Sequence, residues 1–269
     1  MEPDGVSTIQ SCLEKERHPK WVSIGSDSPT ASTHYGRQKG QHMTHTEVTL
    51  SPSSLNYEDR RCDRCFGEAL NGESWPDGPF PGIFSKLDSY QRRYFTGRPT
   101  SDVDASLPPG TLHNGTRVRS APLTVDGVDF VIRGSMDALI RFDDGTVGIV
   151  DYKSSTPHPG LVDAYRPQLA AYQWAVSSPE TGEPETVSAA GLFVFSPESL
   201  VDTDHGRAYQ VSSTWLPVEI DDDWFEAFLK RLVPLVKAPG DIPSSPDCGW
   251  CDIRDRLNGR RRRTLGPRP

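Results

Sequence analysis

Arg133-Gly-Ser-Met-Asp137-Ala-Leu-Ile-Arg-Phe142, Asp143-Asp-Gly-Thr146 and Val147-Gly-Ile-Val-Asp151-Tyr-Lys153 follow one another without a break. The middle block holds turn formers and the flanking blocks are apolar or β-branched, so the stretch reads as strand, hairpin turn, strand. Side chains on a strand alternate, which puts Asp151 and Lys153 on one face and Tyr152 on the other. A symmetric register about 143–146 sets Asp151 opposite Ala138 and Leu139, with Asp137 a residue or two away on the neighbouring strand. Two carboxylates one strand spacing apart, beside a lysine, can hold a hard divalent ion through oxygen. The ammonium can orient a water or offset charge on a phosphate. An isolated Asp-x-Lys is usually a solvated ion pair. Here Val147, Ile149 and Val150 precede it, and an unpaired charge at the end of an apolar strand is costly.

Working outward, 124–132 reads as strand, Asp126-Gly127 turn, strand, and Val118 starts another, giving an antiparallel meander. After His158-Pro-Gly160, residues 162–177 carry Tyr165, Leu169, Tyr172 and Val176 at helical spacing. An almost wholly apolar strand follows over 187–195, then a strand over about 208–218, then an acid-capped helix from Asp221 to Lys237. Upstream, a short helix over 54–59 and a turn over 66–70 precede a Pro/Gly-rich loop over 75–82. Residues 83–95 place apolar side chains at 83, 84, 87, 90, 94 and 95, the pattern of an amphipathic helix. The order predicts an α/β fold with a mixed central sheet flanked by helices.

Gly134-x-x-Asp137, Asp151-x-Lys153 and Gln168-x-x-x-Tyr172 occur in that order. The series resembles the RecB-type branch of the PD-(D/E)XK nuclease superfamily, which includes recombination exonucleases and CRISPR adaptation nucleases. The resemblance covers roughly residues 50–255. It implies a restriction-endonuclease-like fold and metal-dependent hydrolysis of DNA phosphodiesters, by an exonuclease of repair, recombination or phage- and CRISPR-type DNA processing. It further implies Mg²⁺ or Mn²⁺ on Asp137 and Asp151, Lys153 assisting the attacking water, and Gln168 and Tyr172 facing the substrate phosphate. DNA, single-stranded or at its ends, would be the partner. Gln168 and Tyr172 lie four apart, hence on one helix face, which ordinary helix packing would also explain. The family usually supplies a further His or Glu from the helix before the meander. This chain offers Asp88 there, with Gln91 one turn later.

Cys62-Asp-Arg-Cys65 and Cys248-Gly-Trp-Cys251 each have the spacing at which two thiolates bind one metal, and they bracket the core. A metal on all four would clasp the ends of the domain. Similar brackets occur in nucleases whose termini are pinned by a 4Fe-4S cluster, but those commonly place one cysteine before the core and three after. Two and two leaves Zn²⁺ open. Cys12 is spare.

The net charge of −8 argues against a surface coated for non-specific nucleic-acid binding. The charge is polarised, since residues 254–269 hold seven Arg against one Asp. Residues 1–45 lack hydrophobic period and read as a disordered lead, 46–255 as the catalytic domain, and 256–269 as a basic tail. Order signals begin just after Met43, so an over-extended start at Met1 is one expectation. No stretch has the apolar length of a membrane helix or a secretory signal, which predicts a cytoplasmic chain without disulfides or membrane partner. The rival reading is a non-catalytic nucleic-acid-binding module stabilised by a structural four-cysteine metal site.

Overall fold

One long antiparallel hairpin organises the molecule. In the computed structural model, strands β2 (Gly110–Asn114) and β3 (Arg117–Arg119) run against β6 (Ala138–Phe142) and β5 (Val128–Ser135), with pairing from Gly110 opposite Phe142 to Arg119 opposite Arg133. Between these segments the ladder continues through Gly115 N–H to Asp137 O at 3.0 Å and Met136 N–H to Thr116 O at 3.1 Å. The hairpin bends here and passes from a four-stranded to a five-stranded sheet. Gly115 makes the bend possible, because a Cβ there would lie 2.0 Å from Met136 O.

The structure describes residues 46–58, 61–72, 81–254 and 256. The expected disordered lead and nearly all of the expected basic tail lie outside the described residues.

The first sheet pairs β1 (Thr46–Leu50) parallel to β5, with β3 and β4 (Leu123–Val125) antiparallel to it. Asp126 and Gly127, at φ 46° and 76°, form the tight turn that their sequence predicts. The second sheet has the order β2-β6-β7-β8-β9, with β7 Val147–Ser154, β8 Val187–Thr203 and β9 Gly206–Pro217. β7 is antiparallel to β6 and parallel to β8. The intervening α4 (Gly160–Ser177) makes the parallel crossover, the architecture expected of a mixed α/β sheet. β7 is buried from Val147 to Tyr152, as a central strand covered on both faces must be.

One expectation is corrected. Val150, not Asp151, faces Ala138, one residue out from the symmetric register. Phe142 N–H bonds to Thr146 O, so the loop is the three residues 143–145 with Gly145 at φ 86°, rather than a two-residue turn. The shift brings Asp137 level with Asp151.

Helix α4 has apolar partners on two sides. Leu169, Tyr172 and Val176 pack on the β6–β8 face with Leu139, Ile149 and Leu192. Ala170, Ala171 and Ala175 meet Phe130, Ile132 and the buried face of α5 (Asp222–Lys237). The opposite face of the second sheet buries Ile140, Val150, Tyr152, Phe193 and Trp215. Helices α1 (Pro52–Glu58) and α2 (Asp63–Leu70) complete the first core through Leu55 and Phe66. Gly67 lets α2 sit against α5, since a Cβ there would stand 3.2 Å from Leu235 O. Among the described residues, no helix is long and apolar enough to cross a membrane.

Candidate active site and cysteine cluster

Asp137 occupies the bend of the long hairpin and Asp151 the fifth position of β7. Gly134, the penultimate residue of β5, is required by close approach. A Cβ there would meet Pro52 Cδ at 2.8 Å and Tyr172 Cε1 at 3.2 Å.

Asp151 is 2 % exposed. Its Oδ1 accepts from Gln168 Nε2 at 2.6 Å, and Gln168 Oε1 in turn accepts from Asn56 Nδ2. Its Oδ2 has no hydrogen-bond partner and meets only the Lys153 ammonium as an ion pair. Asp137 Oδ2 accepts from the Tyr152 backbone N–H at 2.9 Å, and Oδ1 pairs with Arg92 Nη2. Burial pushes the Asp137 carboxyl up to about 7, and the charge of Asp151 adds to that, against the pull of Arg92, Lys153 and the Tyr152 N–H. Burial alone would lower Lys153, but the Asp151 charge overcomes it and holds the lysine above its ordinary value. Lys153 is therefore a cation at neutral pH, and its Nζ lies 4.5 Å from the Tyr165 ring centroid.

Asp137 and Lys153 open on a groove of about 490 Å³ between the end of β7, α4 and helix α3 (Gly82–Phe95), with Asp151 buried behind its lining. Asp137, Tyr152, Lys153, Asp88, Gln91 and Arg92 line it. Gln91 Nε2 donates to Ser154 Oγ at 3.4 Å. Asp88 reaches Asp137 only through Arg92: both of its oxygens accept from Arg92 Nε at 2.9 Å, while Arg92 Nη1 donates to the carbonyls of Met136 and Asp137.

Gln168 and Tyr172 stand elsewhere than the resemblance implies. Both are 3 % exposed, and neither lines the groove. Gln168 spends its amide on Asp151 and Asn56, and the Tyr172 hydroxyl donates to Ser135 O at 2.7 Å. Burial raises the Tyr172 phenol, so it stays a donor. Both stand behind the carboxylates, where Gln168 holds Asp151 and Tyr172 the Ser135 carbonyl. Gln168→Ala is therefore expected to lower turnover about tenfold with KM for the nucleic acid unchanged, because a mispositioned Asp151 affects the chemical step and not substrate binding. A steady-state comparison checks this, and a change confined to KM would show a phosphate contact instead.

Arg92 and Asn56 were not apparent in the sequence. Arg92 lies four residues after Asp88, which could have been read as a helical ion pair, but its reach across to Asp137 depends on the tertiary fold. Asn56 had no signal at all.

The second cluster forms where α2 begins. Cys62 is its N-cap and Cys65 sits one turn in. Cys248 stands in the same way before a helical turn over 249–254, with Cys251 inside it. All four sulfurs lie within 4.8 Å of one another. Cys62–Cys251 and Cys65–Cys251 are 3.4 Å apart and Cys65–Cys248 3.9 Å. Burial works against ionising Cys248, but the backbone N–H groups of Cys251, Cys62 and Trp250 overcome it and draw the thiol down to about 6. Cys65, deeper, is pushed up by burial and by its sulfur neighbours. Arg254 Nη2 lies 3.7 Å from Cys251 Sγ and pairs with Glu68, placing a positive charge against the sulfurs. The group is suited to a metal cation.

A family model matches residues 32–256, and the chain belongs to the PD-(D/E)XK nuclease superfamily. Membership makes nucleic acid the substrate class and a divalent metal such as Mg²⁺ or Mn²⁺ the catalytic cofactor. The crystal structure of SSO0001 is similar at 16 % sequence identity, with a TM-score of 0.42, covering 76 % of this chain and 81 % of that one. No curated protein matches the chain.

Proposed function

We propose that this protein is a divalent-metal-dependent exodeoxyribonuclease of the RecB-like branch, acting on DNA ends or single strands in repair, recombination or phage- and CRISPR-type DNA processing. The observation that carries this reading is the nearly inaccessible Asp151, paired only with Lys153 through Oδ2 and level with Asp137, which lines the groove. The donor set fits a hard cation, with two carboxylates converging where burial and mutual repulsion already disfavour their joint ionisation. Asp137 and Asp151 would hold Mg²⁺ or Mn²⁺, which when bound supplies positive charge that lowers the pKa of a water and offsets charge on the phosphate. Asp88, secured to Arg92 on the groove wall, is the outer carboxylate.

The chain's own groups do the rest. Lys153, charged and 20 % exposed, offers N–H donors to the attacking water or to a phosphate oxygen. Gln168 and Asn56 fix the Asp151 carboxylate, and Arg92 with the Tyr152 N–H fixes Asp137. Water oxygen bonds to phosphorus, the opposite P–O bond breaks, and the departing oxygen takes up a proton. Incubation of end-labelled single-stranded DNA, duplex DNA and RNA with Mg²⁺, Mn²⁺ or excess chelator tests the reading. Stepwise shortening of DNA with either metal and none with chelator is expected. Cutting in chelator, or binding without any cutting, would overturn it, the latter in favour of the non-catalytic module.

For the cysteines we propose one tetrahedrally ligated ion, Zn²⁺, in place of a 4Fe-4S cluster. Metal–sulfur bonds of about 2.3 Å to a single tetrahedral ion set sulfur–sulfur edges at about 3.8 Å. In a 4Fe-4S cube each cysteine binds its own corner iron, which carries the ligand sulfurs more than about 6 Å apart. Four sulfurs within 4.8 Å of one another, three of the pairs at 3.4 to 3.9 Å, support the single ion.

A further inference from the structure

Helix α3 has the apolar periodicity of a core helix, yet Phe95 is its only buried residue. Ile83, Phe84, Tyr90 and Tyr94 are 58 %, 42 %, 56 % and 57 % exposed. Positions 84, 88, 91, 92 and 95 form the flank turned to the groove and sheet. Positions 83, 90 and 94 share the opposite, outward side, since seven and eleven residues bring an α-helix back to nearly the same direction.

We propose that this outward stripe is a stacking platform for an unpaired nucleic-acid strand leading to the Asp137–Asp151 groove, an inference that rests on the nuclease reading of that groove. Three observations select this occupant. The most exposed large rings on the helix are tyrosines, and each carries a guanidinium: Arg93 lies 5.3 Å from the Tyr90 centroid and Arg98 3.9 Å from that of Tyr94. Aromatic rings flanked by Arg are the surface on which unpaired bases stack while phosphates meet the charge. Second, residues 82–98 hold Lys86, Arg92, Arg93 and Arg98 against the acid Asp88, and although Arg92 pairs with Asp88 and Asp137 and Arg98 with Asp102, Lys86 and Arg93 lie outside these pairs, in a chain whose net charge is −8. An apolar protein partner would not call for that local excess of cations, and a polyanion does. Third, the platform lies on the helix whose other flank supplies Asp88, Gln91 and Arg92 to the groove wall, so a strand bound there is held within one helix width of the site. Duplex DNA keeps its bases inside the stack and offers these rings little, so the platform discriminates for single strands.

The test is fluorescence anisotropy of a labelled mixed-sequence oligonucleotide and its blunt duplex, with the wild-type chain in chelator so that binding alone is read. Replacing Tyr90→Ala and Tyr94→Ala together is expected to weaken single-strand binding roughly thirtyfold or more, since one stacked base is lost per ring, and to change duplex binding less than twofold. Tyr90→Phe with Tyr94→Phe restores it, since stacking needs the ring and not the hydroxyl. Unchanged single-strand affinity, or equal loss on both substrates with the Phe pair no better than the Ala pair, overturns the proposal. A shift from dimer to monomer in the Ala pair without loss of affinity also overturns it, and assigns the stripe to a second copy. A wild-type chain that shows this tyrosine dependence but never cuts DNA removes the nuclease reading and leaves the platform standing.

Discussion

Asp151→Asn is expected to reduce metal-dependent cleavage by about 10³-fold or more, with a melting temperature close to that of the parent. The substitution keeps the shape of the side chain and an oxygen to accept from Gln168 Nε2, so the packing around residue 151 is preserved. What it removes is a charge, and with it the ligand a hard cation needs. Stability changes little because two effects oppose. Lys153 loses its partner, but at 20 % exposure it can turn to water, while Asp137 loses the like charge that helps hold its carboxyl near 7. Lys153→Ala tests the other half of the pair and should cost about 10²- to 10³-fold in turnover, the usual range for one donor aimed at developing charge. Rates at saturating Mg²⁺ and Mn²⁺, with a thermal melt of each variant, check both. Full activity of Asp151→Asn would remove the site assignment, and an unfolded variant would make Asp151 structural.

The second large effect concerns the clasp. Cys65→Ser should abolish bound metal and lower stability by about 3–5 kcal/mol, less than the roughly 10 kcal/mol or more of small metal-dependent domains, because this fold has apolar cores of its own. In a domain of this size that is a fall of about 10 °C. Cys251→Ser, equally buried, should behave the same, and Cys12→Ser, in neither Cys-x-x-Cys pair, should change neither quantity. Elemental analysis expects one zinc per parent chain and a colourless protein. A brown protein with iron and labile sulfide would reverse the choice of metal, and four variants with widely different metal content would dissolve the single site. None of the four clustered cysteines lines the groove, so a folded variant should retain some cleavage.

Local chemistry made much of this legible. The Asp126-Gly127 turn, the apolar run of β7, the helical stripe of α4 and the paired Cys-x-x-Cys motifs each carry their structural meaning within a few residues. What escaped depends on distance along the chain. Strand β1 pairs parallel to β5 across some eighty residues, and five residues such as Thr46–Leu50 carry no sign of that partner. The register at Asp151 turned on whether the loop spent two residues or three, a choice the glycine at 145 does not settle alone. Gln168 shares a face with Tyr172, as spacing requires, but spacing does not say that the face is sealed. The stripe on α3 shows the converse, an apolar period that a core could have used and the fold left outside.

The hairpin bend gives the site a mechanical character. Asp151 belongs to the best-buried strand of one sheet, braced through Gln168 and Asn56, while Asp137 sits on the joint where the chain crosses to the other sheet. One carboxylate thus belongs to a stiff sheet and the other to the joint, and a cation shared between them would fasten that joint. Its binding should be visible far from any chemistry, as slower hydrogen exchange at the amides of Gly115 and Met136, whose bonds to Asp137 O and Thr116 O are the pins of that joint. Exchange there that ignores Mg²⁺ would mean the sheets are already locked, and the ion merely occupies a finished cradle.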